Sequence, residues 1–385
     1  MRVEQIYNII NTISGEALGE TAVVQEDLSN IVDLGRQFES AVGLDSFVRS
    51  LVDHIGKMVF VDRVYGGRAP SVLMDGWEYG SILEKISVAL PEAQENEVWE
   101  LQDGQSYDPY IFKKPSVTAK FYNDRVTFDI QLSITTKQVK SAFDSVSQMN
   151  SFVSMLYTSV ANSATIKTDA LIMRAINNMI GETFYNEFPA GTYTGTGVKA
   201  VNLLALYNAT VASGSAITAD DFLTTPEAIR HSIMVVKNYI DRIKVMSTLF
   251  NMGGQERFTP EDRLHIVLLS EFANAADVYL QSDTFNEQYT ALPNAERTVY
   301  WQGSGTGYGF SSTSAVNIVT SGNHTINATG ILGVMFDRDA LGVANVDRYV
   351  TSAYNAKGDF TNNFYHYTQG MFNDGNENFI VFYVA

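Results

Sequence analysis

Residues 144–180, DSVSQMNSFVSMLYTSVANSATIKTDALIMRAINNMI, contain neither Gly nor Pro. Apolar residues return at Met149, Phe152, Val153, Leu156 and Val160, then at Leu171, Ile172, Ala175, Ile176 and Met179. Steps of three and four residues put them on one side of a helix. The spacing predicts one helix from Ser145 to Ile180, stopped by Gly181. At 1.5 Å per residue it would span roughly 50 Å, several times an ordinary globular helix and long enough to be a strut across a subunit. Its β-branched, hydroxyl-rich middle, Ser163 to Thr168, is where a kink is expected.

Working outward, the stretch before this helix alternates strictly. Val126, Phe128, Ile130, Leu132 and Ile134 are separated by Thr127, Asp129, Gln131 and Ser133, the pattern of a strand buried on one face. Asn123-Asp124 interrupts the alternation that begins at Val117, which predicts a bulge or tight turn, and a short helical piece from Lys137 to Phe143 joins strand to strut. Upstream, residues 66–116 are punctuated by Gly66-Gly67, Pro70, Asp75-Gly76, Gly80, Pro91, Asp103-Gly104, Pro109 and Pro115. They hold one strand-like run, Ser81 to Leu90, and the acidic PEAQENEVWEL. Such a segment cannot form a core, yet it carries Trp77, Tyr79, Trp99, Tyr107 and Tyr110. Large rings on an extended loop need a place to be buried, and another subunit is the expected place. Further upstream lie an amphipathic helix over residues 3–13, a Gly/Glu-rich stretch expected to be a mobile arm, a helix from Leu44 to Ile55 and a strand from Lys57 to Tyr65.

Downstream of Gly181, PAGTYTGTGVKA reads as a loop into a new unit. Thr225-Pro226-Glu227 is a helix start with a hydroxyl cap, Pro at the first position and a carboxylate in the first turn. Arg263 to Leu269 reads as a buried strand followed by a helix through Val278 and Leu280. Gly303 to Ser314 reads as a loop, with strands at Val316 to Thr320, Gly330 to Asp337 and Phe379 to Val384. Asp374-Gly375 before the last of these is a hairpin signal.

Composition narrows the function. The chain has 385 residues, 45% of them hydrophobic, enough for a sizeable core and two or three domains. Forty-three acidic against 26 basic residues leave a net charge of −17, which repels phosphate backbones and argues against sequence-specific nucleic-acid binding. There is no Cys, so disulfides and thiolate chemistry are excluded. No apolar run is long enough for a membrane span, and the N-terminus has Glu4 and Gln5 where a signal peptide needs an apolar core.

Catalytic signals are missing as well. None of His54, His231, His265, His324 and His366 pairs with another ligand at metal spacing, and no G-x-S-x-G elbow occurs. The run from Gly303 to Gly309 lacks the Lys-Ser/Thr ending of a phosphate loop. Asp337-Arg338-Asp339 reads as a solvated turn rather than a metal pair, and His265 as a hydrogen-bonded core histidine. No catalytic residue, cofactor or metal is expected.

This order of elements resembles the major capsid proteins of tailed bacteriophages, the Hong Kong 97-type fold. FVRSLVDHIGK (Phe47 to Lys57), KQVKSAFDSVSQMNSFVSML (Lys137 to Leu156) and GVMFDRDALGV (Gly333 to Val343) carry the resemblance. It implies an α+β chain with an N-terminal arm and first helix (1–60) and an extended E-loop (61–117). A spine-helix P-domain (118–189, closed by C-terminal strands 350–385) and a mixed α/β A-domain (190–349) would follow. It further implies hexamers and pentamers of an icosahedral head around double-stranded DNA, assembled in the host cytoplasm and resident in the virion. The partners it implies are further copies of the chain, a scaffolding protein, a portal protein and optional decoration proteins. The lysine–asparagine cross-link of some relatives matches no pair here, Lys85 being only one candidate lysine. An encapsulin-like cellular shell and an acidic hydrolase using Asp337 and Asp339 are the alternatives.

Overall fold

The helix over the quoted stretch is longer than its spacing predicts. In the structure, a computed structural model, it runs from Val146 to Glu187, 42 residues, or roughly 60 Å. Ser145 caps it by accepting a hydrogen bond from the Gln148 amide at 3.3 Å. The helix is unbroken through residues 163–168, the stretch where a kink is expected. There the Thr165 and Thr168 hydroxyls donate to the carbonyls of Ala161 and Ala164, one turn back. Nor does Gly181 end it. Its place at 181 is in packing: a Cβ there would lie 2.6 Å from Cγ2 of Thr320, so a larger residue must displace that side chain.

The structure describes residues 7, 8, 10–14, 24, 25, 28–41, 70–74, 83–91, 93, 110, 112, 114–212, 214–281, 295–302 and 309–385. The elements expected over 44–55 and 57–65, and Gly303 to Tyr308, lie outside them. The described elements begin with α1 (Ile31–Ala41), β1 (Leu73–Met74), β2 (Leu83–Val88), β3 (Val117–Tyr122), β4 (Asp124–Thr135) and α2 (Thr136–Ala142), followed by the long helix, α3. Next come β5 (Ala200–Asn202), α4 (Leu203–Asn208), α5 (Pro226–Ile243), β6 (Leu264–Leu269), α6 (Ser270–Gln281), β7 (Ala295–Thr298) and α7 (Phe310–Thr313). Six strands follow: β8 (Val316–Val319), β9 (Thr325–Ala328), β10 (Ile331–Asp337), β11 (Leu341–Asn355), β12 (Phe360–Asn373) and β13 (Phe379–Tyr383). The chain is thus a mixed α+β protein.

Two sheets organise the body. One is four-stranded, β1-β11-β12-β4, and the other five-stranded, β5-β13-β10-β6-β7. Every residue of β6, β10 and β13 is buried, so the five-stranded sheet is covered on both faces. Ile229, Val236 and Phe272 of α5 and α6 cover one face. The C-terminal half of α3, with Ile172, Ile176 and Phe184, belongs to the core on the other. The N-terminal half of α3, with Met149, Val153 and Val160, packs in a separate core with α1, α2 and one face of the four-stranded sheet. One helix therefore joins two cores.

Several expectations are corrected. The stretch read as a mobile arm contains α1, and Ile10, Ile13, Leu28 and Phe38 are fully buried in the first core. The break at Asn123 is neither a bulge nor a tight turn within one strand. It is where the chain leaves the pair β2-β3 and enters the four-stranded sheet. Thr225 sits at the N-cap of α5, but its hydroxyl donates to the Asp221 carbonyl and does not cap.

Asp374-Gly375 does not close a hairpin either: β12 pairs with β4 and β11, β13 with β10 and β5, so the turn carries the chain from one sheet to the other. The Asp374 amide is committed to the Ala340 carbonyl at 2.7 Å, which fixes this crossing. Residues 350–385 accordingly divide between the sheets.

Candidate assembly surface

β2 and β3 form an antiparallel pair of their own, with Leu83 opposite Tyr122, Lys85 opposite Lys120, Ile86 opposite Ala119 and Val88 opposite Val117. Directly opposed residues share a face. One face therefore carries Leu83, Lys85, Lys120 and Tyr122, all partly buried. The other carries Ile86, Val88, Val117 and Phe121, which are 61%, 52%, 55% and 64% exposed.

The basic face meets a cluster of buried charge. The Lys85 ammonium has three protons to donate. Asp374 Oδ2 at 2.8 Å, Glu377 Oε1 at 2.8 Å and the Asp339 carbonyl at 3.2 Å accept them. Lys120 reaches Asp374 Oδ1 at 3.0 Å, where the Asn376 amide also donates. Arg257 Nε lies 3.3 Å from Glu377 Oε1. The Tyr122 ring packs on Phe372, with centroids 5.5 Å apart. Burial and the Asp374 carboxylate push the Tyr122 phenol upward.

Burial raises the Asp374 carboxyl too, but hydrogen bonds from Lys85, the Asn376 amide and Lys120 outweigh it and pull the pKa down to about 2 from 3.8. A folded-state pKa below the unfolded one stabilises the fold above the unfolded value, and that contribution is lost as pH falls through the folded one. Asp374 is therefore expected to contribute about 2 kcal/mol at neutral pH. The loss should run from about pH 4 down to about pH 2. Asp337 acts with the opposite sign, since its burial raises its carboxyl. Denaturant melts across that pH range should show the loss in wild type and a flatter profile in Asp374→Asn; identical profiles would contradict the assignment.

The candidate chemistry resolves into structural contacts. Asp337 is buried, contrary to the solvated turn expected for it. It accepts the Asp339 amide at 2.9 Å and lies 3.7 Å from Arg263 Nε, while Asp339 pairs with Arg263 directly. His265 is buried in β6, as its sequence context suggests, with Nε2 3.3 Å from Glu296 Oε1. Ser71 also stands beside that nitrogen, at 3.5 Å, and donates through its hydroxyl and amide to Glu296. A Ser-His-acid relay needs the acid on one ring nitrogen and the serine on the other. Here both face Nε2, and the buried Nδ1 has no hydrogen-bond partner among the described residues. The set pins β1 to the β6-β7 edge; it is not a triad. Among the described residues no group of three or more His, Asp or Glu could hold a metal, and no helix is long and apolar enough to cross a membrane.

Of the five rings singled out in the sequence, Trp77, Tyr79, Trp99 and Tyr107 lie outside the described residues, and Tyr110 is 89% exposed. Trp301 is fully buried, its indole N–H donating to the Ile331 carbonyl at 2.8 Å. The charge cluster escaped the sequence reading, since its members come from segments about 250 residues apart with no spacing to betray them.

Comparison with known proteins gives the class. The profile of the Phi29-like phage major capsid protein family matches residues 9–383, and the chain belongs to that family. It is a family of structural proteins, not enzymes. The major capsid protein of Bacillus phage GA-1 is 25% identical over 203 residues, 51% of this chain and 41% of that protein. The match thus spans about two-fifths of the relative's length. Among solved structures, the capsid of Staphylococcus phage Andhra aligns with a TM-score of 0.47 and 11% identity, covering 84% of this chain and 87% of that one. The capsid of Cyanophage P-SCSP1u aligns at 0.44 and 12%, covering 84% and 88%. The assignment rests on the family match.

Proposed function

We propose that this chain is the building block of a phage head, with the Hong Kong 97-type fold, assembling as hexamers and pentamers into an icosahedral shell around double-stranded DNA. The observation that carries this reading is the family match over residues 9–383. The net charge of −17 suits a shell wall that must not grip the DNA it encloses. In this reading residues 61–117 are an E-loop reaching a neighbouring subunit, with Trp77, Tyr79, Trp99, Tyr107 and Tyr110 in the contact. The four-stranded sheet with the first half of α3 corresponds to the P-domain, and the five-stranded sheet to the A-domain. Scaffolding and portal proteins are the partners such a head needs during assembly in the host cytoplasm.

Electron microscopy of the purified protein, alone and with its scaffold, tests the shell directly. Closed shells are expected; a protein that stays monomeric under both conditions would overturn the reading. Tryptophan emission tests the loop. Variants retaining only Trp77 or only Trp99 should shift to the blue on assembly, because burying rings of about 150 to 250 Å² each takes them out of water. A Trp301-only variant is the control, already buried within its own subunit. Unchanged spectra for both loop variants would remove these rings from the intersubunit contact.

A further inference from the structure

The β2-β3 pair is turned inside out with respect to its own subunit. A two-stranded ribbon normally lays its apolar face on the body and leaves its charges in water. Here the ammonium groups of Lys85 and Lys120 point at the body, and Ile86, Val88, Val117 and Phe121 face away from it. Among the described residues, the Tyr122–Phe372 ring contact and chain continuity through Asn123 add to these ties. The ends of the cluster belong to different parts of the chain. Asp374 and Glu377 stand on the crossing between the two sheets, and Arg257 holds Glu377 from the other side. Asp374 is also held from the body, its amide donating to the Ala340 carbonyl at 2.7 Å.

We infer that Lys85 and Lys120 are positioning residues for assembly. By pairing with Asp374 and Glu377 they latch the ribbon to its own subunit by its basic face, so that Ile86, Val88, Val117 and Phe121 are presented as the contact surface for a second copy of the chain. This inference rests on the shell reading for the identity of the occupant; the latch itself does not. A second copy is the occupant because the family is one of capsid proteins. The far face is also uncharged apart from Glu84, as suits a contact that excludes water.

The chain has no Cys, so spin labels can be placed at will. Glu84→Cys on the ribbon and Val278→Cys on α6, both at exposed positions, give an intramolecular distance measurable in free subunits by pulsed electron spin resonance. A narrow distribution is expected in that background. It should broaden or shift when Lys85→Met and Lys120→Met are added, while thermal unfolding shows the variant still folded. Ile86→Ser with Phe121→Ser should leave the narrow distance unchanged but raise the concentration needed for shell formation by roughly tenfold or more, from the lost burial of two large apolar side chains. An unchanged narrow distance in the folded lysine variant overturns the latch. Unchanged assembly of the Ile86/Phe121 variant overturns the contact surface. Failure of wild type to form any shell, with the distance results as expected, would instead count against the shell reading and the proposed occupant while leaving the latch standing.

Discussion

Val153→Pro is expected to abolish the fold, and shells with it. Val153 is fully buried in the first core, in the third turn of α3. Proline there removes the hydrogen bond toward residue 149 and drives its ring into that carbonyl, at about 3 kcal/mol or more. Disturbing Met149, Leu156 and the α1 contacts beside it adds to that. Domain stabilities are about 5 to 15 kcal/mol, so this is a large share. Val153→Ala, which keeps the helix and only opens a cavity, should cost less and still melt cooperatively. Circular dichroism and electron microscopy of both variants check this. Native shells from Val153→Pro would mean that α3 does not run continuously through that residue.

Gly330→Ala should be nearly as damaging, for a reason unrelated to helices. Gly330 has φ +76, and a Cβ added there would land on the carbonyl oxygen of Val384. The backbone cannot retreat, because the Val384 amide donates to the Gly330 carbonyl at 2.9 Å and the Gly330 amide donates to Ser314 Oγ at 3.0 Å. Strain of about 1 to 2 kcal/mol combines with an overpacking cost of about 1 to 3 kcal/mol. Gly191 offers the comparison: its φ is +74, but a Cβ there meets nothing within 4 Å. Gly191→Ala should therefore cost the strain alone. Equal losses of stability in the two variants would show that the Val384 carbonyl exerts no steric demand on residue 330.

What could be read from sequence follows physical type. α3 and β4 were legible because their apolar residues recur at a regular period, and β6 and β10 because each is a short, nearly continuous apolar run. α1 was hidden by Gly35 in its interior, a residue that weakens any helical reading but lets Phe143 approach closely. β12 was hidden more thoroughly. Its inward positions include Thr361, Asn363 and Gln369 beside Tyr365 and Tyr367, while Phe364 and His366 lie on its less buried face, so the alternation of burial is not an alternation of hydropathy. The basic face of the ribbon was invisible for a related reason, since two lysines in short strands look like ordinary solvated charge until the turn at Asp374 is seen to meet them.

The position of β13 has a consequence for how the chain is made. It lies inside the five-stranded sheet between β5 and β10, and β12 lies inside the other sheet between β11 and β4, pairing residues such as Phe360 and Thr135 that are far apart in sequence. A nascent chain on the ribosome can wind α3 early, since its bonds are local, but the four-stranded sheet cannot close before residue 373 has been synthesised, nor the five-stranded sheet before residue 383. Asp374, the anchor for Lys85 and Lys120, lies on the crossing between β12 and β13 and follows Lys120 by 254 residues. A chain interrupted before residue 374 therefore lacks the carboxylate that Lys85 and Lys120 meet, and its ribbon is left without that anchor.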